Sequence, residues 1–377
     1  MSNVVERVIE RAVEIQQIPA PTFEEAQRAE FVRRSFIEEE LKHVSMDNAG
    51  NVYGCLEVDG GRSKVKPLVV SAHLDTVFPR GTDLAVKRDD EKIYGPGLGD
   101  NSLGVAALFG LVWSIRERKI ELGGDVWLVA NVGEEGLGDL CGMKAVVDRF
   151  GADALAYLVL EGLALGHVYH RAVGVRRYRV TARTKGGHSW SDYGQPSAVH
   201  ELAKLVVQLT SLDLPKEPRT TINVGKISGG TSVNVIAAEA SFDLDLRSEG
   251  RESLAELVSA VEKLIRRANT LKNAGRSGVS FETEVIGQRP AGEVDADHPL
   301  IQLAQDCLHE QGLDAVLTAG STDANIPLSK GYPALVLGVS TGGNAHTVQE
   351  FIHTAPVRPG MEQLVSFVAG AWKNRER

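Results

Sequence analysis

Cysteine is scarce in this chain. The 377 residues carry three, Cys55, Cys141 and Cys307, far apart and without a Cys-x-x-Cys pair. Any disulfide scheme leaves one unpaired, so a reducing compartment and buried apolar roles are expected. A basic surplus is also missing: 41 Lys and Arg against 50 Asp and Glu give a net charge of -9, which argues against general nucleic-acid or anionic-membrane affinity. No run approaches 18 apolar residues, so no membrane span is expected. In place of a signal peptide, Glu6, Glu10 and Glu14 lie among Val4, Val5, Val8, Ile9, Ala12 and Val13 as an amphipathic helix. Internal repeats and low-complexity tracts are absent. A cytoplasmic protein with no nucleic-acid or membrane partner is the expectation.

What is present is an ordinary globular composition, 43% hydrophobic and 24% charged, over a length that favours two domains. The segment 69–77, Val-Val-Ser-Ala-His-Leu-Asp-Thr-Val, reads as a buried strand with His73 and Asp75 on one face near its end. Before it, Thr22 and Glu25 form the pattern of a capping box opening a helix to about His43, and 51–56 reads as a strand. After it, Gly95, Gly97 and Gly99 lead to Asp100, just ahead of a helix over 102–118. Strands over 125–132 and 155–160 end in Glu134-Glu135 and Glu161, with a helix over 140–149 between them. Strands alternating with helices predict an α/β fold: a mainly parallel sheet with helices on both faces, whose site lies beyond the carboxyl ends of the strands.

Between 173 and 287 the order changes to β-α-β-β-α-β, a ferredoxin-like α+β arrangement. It reads as a domain inserted into a first one formed by 1–172 and 288–377.

His73, Asp75, Asp100, Glu135, Glu161 and His353, with Glu134 beside them, are the candidate metal-site residues. Imidazoles with carboxylates suit zinc. More than three ligands, with an acid placed between the others, suggest two ions roughly 3.5–4 Å apart. Of the adjacent glutamates, one can bind metal while the other takes a proton from water and passes it to a leaving amine.

The segments Ser71–Thr76, Gly99-Asp-Asn-Ser-Leu-Gly104, Gly133-Glu-Glu-Gly136, Glu161-Gly162, Lys185-Gly-Gly-His-Ser189 and Thr231-Ser-Val-Asn-Val-Ile236, together with His353, resemble the dinuclear-zinc aminoacylase and carboxypeptidase family. That family includes acetylornithine deacetylase, succinyl-diaminopimelate desuccinylase, glutamate carboxypeptidase and tripeptide aminopeptidase. The resemblance extends over nearly the whole chain. It implies a zinc-exopeptidase-like fold holding two Zn2+ per subunit, with Co2+ or Mn2+ as substitutes. By the same resemblance His73 and Glu161 bind one ion, Glu135 and His353 the other, and Asp100 both. Asp75 orients His73, Glu134 is the general base, and the Asp100-Asn101 peptide is cis as in relatives. The inserted domain becomes a lid and homodimerisation element, with His188 reaching the other subunit's site to help stabilise the oxyanion, Asn234 its companion, and Arg247 receiving a substrate carboxylate. The substrate is a short peptide or an N-acyl amino acid, cleaved by metal-activated water.

Other signals compete. Gly338-Val-Ser-Thr-Gly342 has the Gly-x-Ser-x-Gly pattern of a serine hydrolase, with Ser340 as nucleophile. No helix follows it, and His346 and His353 leave no room for a separate acid-bearing strand, so Ser340 and Gly342 read instead as a substrate loop, with 320–324 near by. His346 reads as a substrate contact. The run Gly95-x-Gly-x-Gly99 lacks the lysine of a phosphate loop and ends in an acid. A non-catalytic ligand-binding protein of the same fold is the remaining alternative.

Overall fold

The computed structural model describes residues 2–58, 65–273 and 278–373. The chain divides into two compact units, Met1–Ala172 with Glu293–Arg377, and Val173–Gly292.

In the first unit the sheet runs Lys42–Met46, Val52–Leu56, Val126–Asn131, Leu68–His73, Ala156–Glu161, Ala334–Gly338, His167–Ala172, with Val316–Gly320 beside the last. The four strands from Val126–Asn131 to Ala334–Gly338 pair in parallel. Antiparallel pairs flank them, at Val52–Leu56 and His167–Ala172. Apart from Ser71 and the polar residues at their carboxyl ends, these central strands are apolar because both faces are covered. Val70, Ala72, Leu128, Ala130, Leu158 and Leu160 enter the larger core with the helices Ser2–Gln16, Leu103–Arg118 and Val357–Gly370. Val69, Trp127, Val129, Tyr157 and Val159 meet the helix Cys141–Phe150 on the opposite face. The period of two along each strand thus feeds two cores, each fully buried Leu or Val contributing roughly 1.5–3 kcal/mol.

Several expectations change. The span Leu98–Arg118 is long and apolar enough to cross a membrane by length and composition, but 94% of its apolar window is buried inside the fold. The capping box does not form. Helix Ala26–Glu38 starts after Glu25 with no side-chain cap, because Thr22 and Glu25 are engaged elsewhere. That helix stops well short of His43: Glu40 takes a left-handed φ of 53°, and an exposed edge strand, Lys42–Met46, follows.

The second unit contains Gly174–Thr184, helix Ala198–Thr210, Thr220–Gly229, Glu239–Ser248, helix Arg251–Asn273 and Val279–Arg289. Its four strands form an antiparallel sheet in which Glu239–Ser248 and Gly174–Thr184 are central and Thr220–Gly229 and Val279–Arg289 are edges. Tyr178, Val180, Ala182, Phe242 and Leu244 pack with Leu202, Leu205 and Val261 of the two helices. On the other face the alternate residues form ion pairs, Arg177 with Asp245 and Arg179 with Asp243. The last strand continues to Arg289, two residues past the expected end of the insertion.

Candidate metal centre

His73 is the last residue of its strand and Asp75 lies just beyond it. The His73 ring is almost fully buried, with Nδ1 3.0 Å from the Asp75 main-chain carbonyl and 3.5 Å from Asp75 Oδ1. The nearer orienting contact is therefore the backbone oxygen, which makes Nδ1 the donor and turns Nε2 toward the acids. The Asp75 carboxylate, fully buried, has a further task. Oδ1 accepts the Glu134 N–H, and Oδ2 accepts both the Glu135 N–H and the Thr22 hydroxyl, all at 2.9 Å. Burial opposes its charge, but His73 and these donors hold it below the usual carboxylate range.

Asp100 is carried by a tight turn, Leu98–Ser102, ahead of the long helix, and its peptide bond to Asn101 is cis. Asp100 Oδ1 lies 3.1 Å from His73 Nε2, and Oδ2 lies 3.0 Å from His346 Nε2. Each histidine meets a further acid: Glu161 Oε2 is 3.8 Å from His73 Nε2, and Glu135 Oε1 is 3.2 Å from His346 Nε2. Three overlapping groups have ligand atoms within 4.8 Å of one another: His73, Asp100 and Glu161; His73, Glu134 and Glu135; Asp100, Glu135 and His346. Imidazole nitrogen and carboxylate oxygen are the donors that a borderline divalent metal takes, so this set fits the metal centre.

The histidine beside Asp100 and Glu135 is His346, not His353. His353 lies in the short strand Phe351–His353, its Nδ1 3.0 Å from Thr341 Oγ1 and its ring edge-on to Phe351. Among the described residues it joins none of the three groups. His346 sits in a loop without regular structure, which gave the sequence no periodicity to place it. The available signal was His346-x-x-x-Glu350 after a glycine pair, since Glu350 reaches the same turn.

That glutamate was missed. Its carboxylate, fully buried, accepts the N–H groups of Gly97, Gly99 and Asp100 at 3.0, 2.7 and 2.9 Å. Burial pushes it up to about 7, against the pull of those donors. Glu25 acts similarly, accepting the Phe23 and Gly133 N–H groups. Gly162, after Glu161, is required by close approach, because a Cβ there would run into the Gly99 carbonyl oxygen.

Ser340 is no nucleophile in this arrangement. It is fully buried, and its hydroxyl donates to the His353 carbonyl at 2.7 Å. Gly342 pairs with Ile352, and a Cβ would collide with the Phe351 carbonyl; it is a packing glycine. In the 320–324 segment Asp323 is buried, accepting the Asn131 side-chain N–H at 2.7 Å.

Within the second unit, His188 and Asn234 come together where Gly187–His188 pairs with Val235–Ile236. The Trp190 N–H donates to His188 Nδ1 at 3.2 Å, leaving Nε2 as the donor of the neutral ring. Arg247 donates to Asp245 at 2.6 Å, so its charge is already answered by a neighbour on the same strand.

The electrostatics of the first-unit cluster follow from crowded acids. Burial works against a charged His73, yet Asp100, Asp75 and Glu161 hold its pKa well above the ordinary value. His346 is raised to about 10 by Asp100 and Glu135. Glu161 is pushed well above the usual range by burial, with Asp100, Glu134 and Asp323 adding to the rise. The cluster therefore demands positive charge, and a divalent cation would take the place of imidazolium protons.

Comparison with known proteins agrees with this chemistry. A Schizosaccharomyces pombe peptidase M20 domain-containing protein, C757.05c, is 29% identical over 332 residues, covering 85% of this chain and 73% of that one. A Staphylococcus aureus tripeptidase structure superposes with TM-score 0.82 at 23% identity, covering 98% of this chain and 99% of its own. The Bacillus cereus aminopeptidase PepT gives 0.80 at 22%, covering 97% and 98%. The profile of peptidase family M20/M25/M40 matches residues 69–370, a span that holds all the residues of the acidic cluster. On that match, the chain belongs to peptidase family M20/M25/M40.

Proposed function

We propose that this protein hydrolyses the amide bond of a short peptide or an N-acyl amino acid with two divalent metal ions. The observation that carries the reading is the position of Asp100, whose two oxygens face two different histidines, each with its own second acid. His73 and Glu161 would hold one ion, Glu135 and His346 the other, and Asp100 would be shared. Zinc suits this nitrogen and oxygen set, with Co2+ or Mn2+ as substitutes. The bound ions would polarise the scissile carbonyl and lower the pKa of water.

Glu134 is the general base. Its main chain is fixed by Asp75 and its side chain is buried beside His73 and Glu135. It takes a proton from the attacking water and delivers it to the leaving amine. His188, with Nε2 free to donate, is assigned to the oxyanion together with Asn234, and Arg247, on exchanging its Asp245 partner, to a substrate carboxylate. The tripeptidase and aminopeptidase neighbours favour peptides over acyl amino acids. A homodimer through the inserted unit is supported by its edge strand Thr220–Gly229 with Ile227 exposed. Three free cysteines suit the cytoplasm.

The test is Glu134→Ala assayed on di- and tripeptides and on N-acetyl and N-succinyl amino acids. Turnover should drop about 10²–10⁴-fold with metal content unchanged. A mutant that is metal-loaded and retains most of the wild-type rate would remove Glu134 from this role.

A further inference from the structure

We infer that Glu350 is a positioning residue that aims the Asp100 carboxylate, so that residues 346–350 grip Asp100 by both side chain and main chain; the inference rests on the metal-centre reading above.

The turn from Gly95 to Asp100 has inward N–H groups that no helix or strand can satisfy. Glu350 accepts four of them: Gly97, Gly99 and Asp100 on its carboxylate, and Gly95 on its main-chain oxygen at 2.9 Å. A carboxylate with no surface exposure and only backbone donors as described partners is costly to bury, and it persists here because those donors converge on it. Four residues earlier, His346 meets the Asp100 carboxylate itself. Asn344 and His346 both hold left-handed backbone, at φ 56° and 65°, which shapes the loop between these two grips. Glu350 therefore touches the backbone that carries Asp100, while its carboxylate, occupied by main-chain donors, joins none of the three ligand groups found among the described residues.

Glutamine at 350 keeps the size but offers a single acceptor oxygen. That oxygen can still serve Gly99 and Asp100, which share Oε1, while the new NH2 group confronts the Gly97 N–H, donor against donor. The turn is then held at its Gly99-Asp100 end only, and the displaced Gly97 end shifts the backbone from which the Asp100 carboxylate projects.

The experiment titrates metal-free wild type, Glu350→Gln and Asp100→Asn with Co2+, following the visible cobalt spectrum, and adds steady-state kinetics. For Glu350→Gln, cobalt affinity should fall about 10–100-fold, the spectrum should change, and kcat should drop with KM little altered. Two ions bound by Glu350→Gln with wild-type affinity and spectrum overturn the inference. Asp100→Asn separates the two levels: if it too binds both ions normally, the metal-centre reading fails; if it alone loses metal, only the role of Glu350 fails. Should Glu350→Gln not fold, hydrogen exchange in the metal-free wild type decides. Within a peptide covering 94–102 the four amides of Gly95, Gly97, Gly99 and Asp100 should be protected, and exchange of all four at the rate of an open loop overturns the proposal.

Discussion

Asp75→Asn separates the two tasks of that residue. The wild-type carboxylate accepts Glu134 N–H on one oxygen and Glu135 N–H with the Thr22 hydroxyl on the other. Asparagine matches one side only, so its NH2 faces a buried N–H, most economically that of Glu134. The loss of one charge-assisted hydrogen bond and the stranding of one buried donor overlap, and together cost roughly 2–4 kcal/mol. No screening discount applies, because Asp75 is fully buried. The His73 ring keeps its main-chain partner, so the damage falls on the Glu134-Glu135 loop, and metal affinity should drop about 10–100-fold as for an outer contact. Urea unfolding of the metal-free protein measures the stability loss, and competition with a chelator measures the affinity. A mutant within error of wild type in both measurements would refute the reasoning and return Asp75 to an ordinary strand end.

His346→Ala should reduce bound metal from two ions to one by elemental analysis, whereas His353→Ala should keep both and lose only about 1 kcal/mol with its Thr341 contact; the opposite pattern would restore His353 to the site. Ser340→Ala removes a hydroxyl bonded to a carbonyl and should leave turnover within about twofold while costing about 1 kcal/mol of stability; abolished turnover in a folded, metal-loaded mutant would revive a serine nucleophile. Burial pushes the Cys307 thiol up to about 12 from an ordinary 9. The folded state thus favours the protonated thiol, and this contribution is complete below pH 9 and disappears as pH rises toward 12. Native Cys307 should stay unmodified by a thiol reagent at pH 8 and react once unfolded; rapid native labelling would contradict its burial.

The sheet and the acids at its strand ends were legible because the cues are local. An apolar run closing in Glu-Gly, as at Glu161, announces both a buried strand and a group at its carboxyl end. His73 and Glu135 were read in the same way, and Asp100 from its place after three glycines and just ahead of a helix. What stayed hidden depends on contacts between distant segments. Glu25 carries the pattern of a helix cap, yet its carboxylate answers Gly133, 108 positions away. Glu350 is 250 positions from Asp100. His346 and His353 are separable only by knowing which of them the short Phe351–His353 strand turns aside. The edge strand Lys42–Met46 was lost because its half-exposed residues carry no clean alternation.

The place of Ala334–Gly338 in the sheet bears on how the protein is made. This strand lies between Ala156–Glu161 and His167–Ala172, yet the ribosome delivers it only after the whole inserted unit. Until then both neighbours present unpaired backbone edges, open to pairing with another chain. His346 is later still, so the acids at 100, 135 and 161 wait without one of their two positive partners. The nascent chain must therefore shield a gap in the middle of its sheet, and chaperone dependence should be greatest for chains stalled between residues 292 and 334.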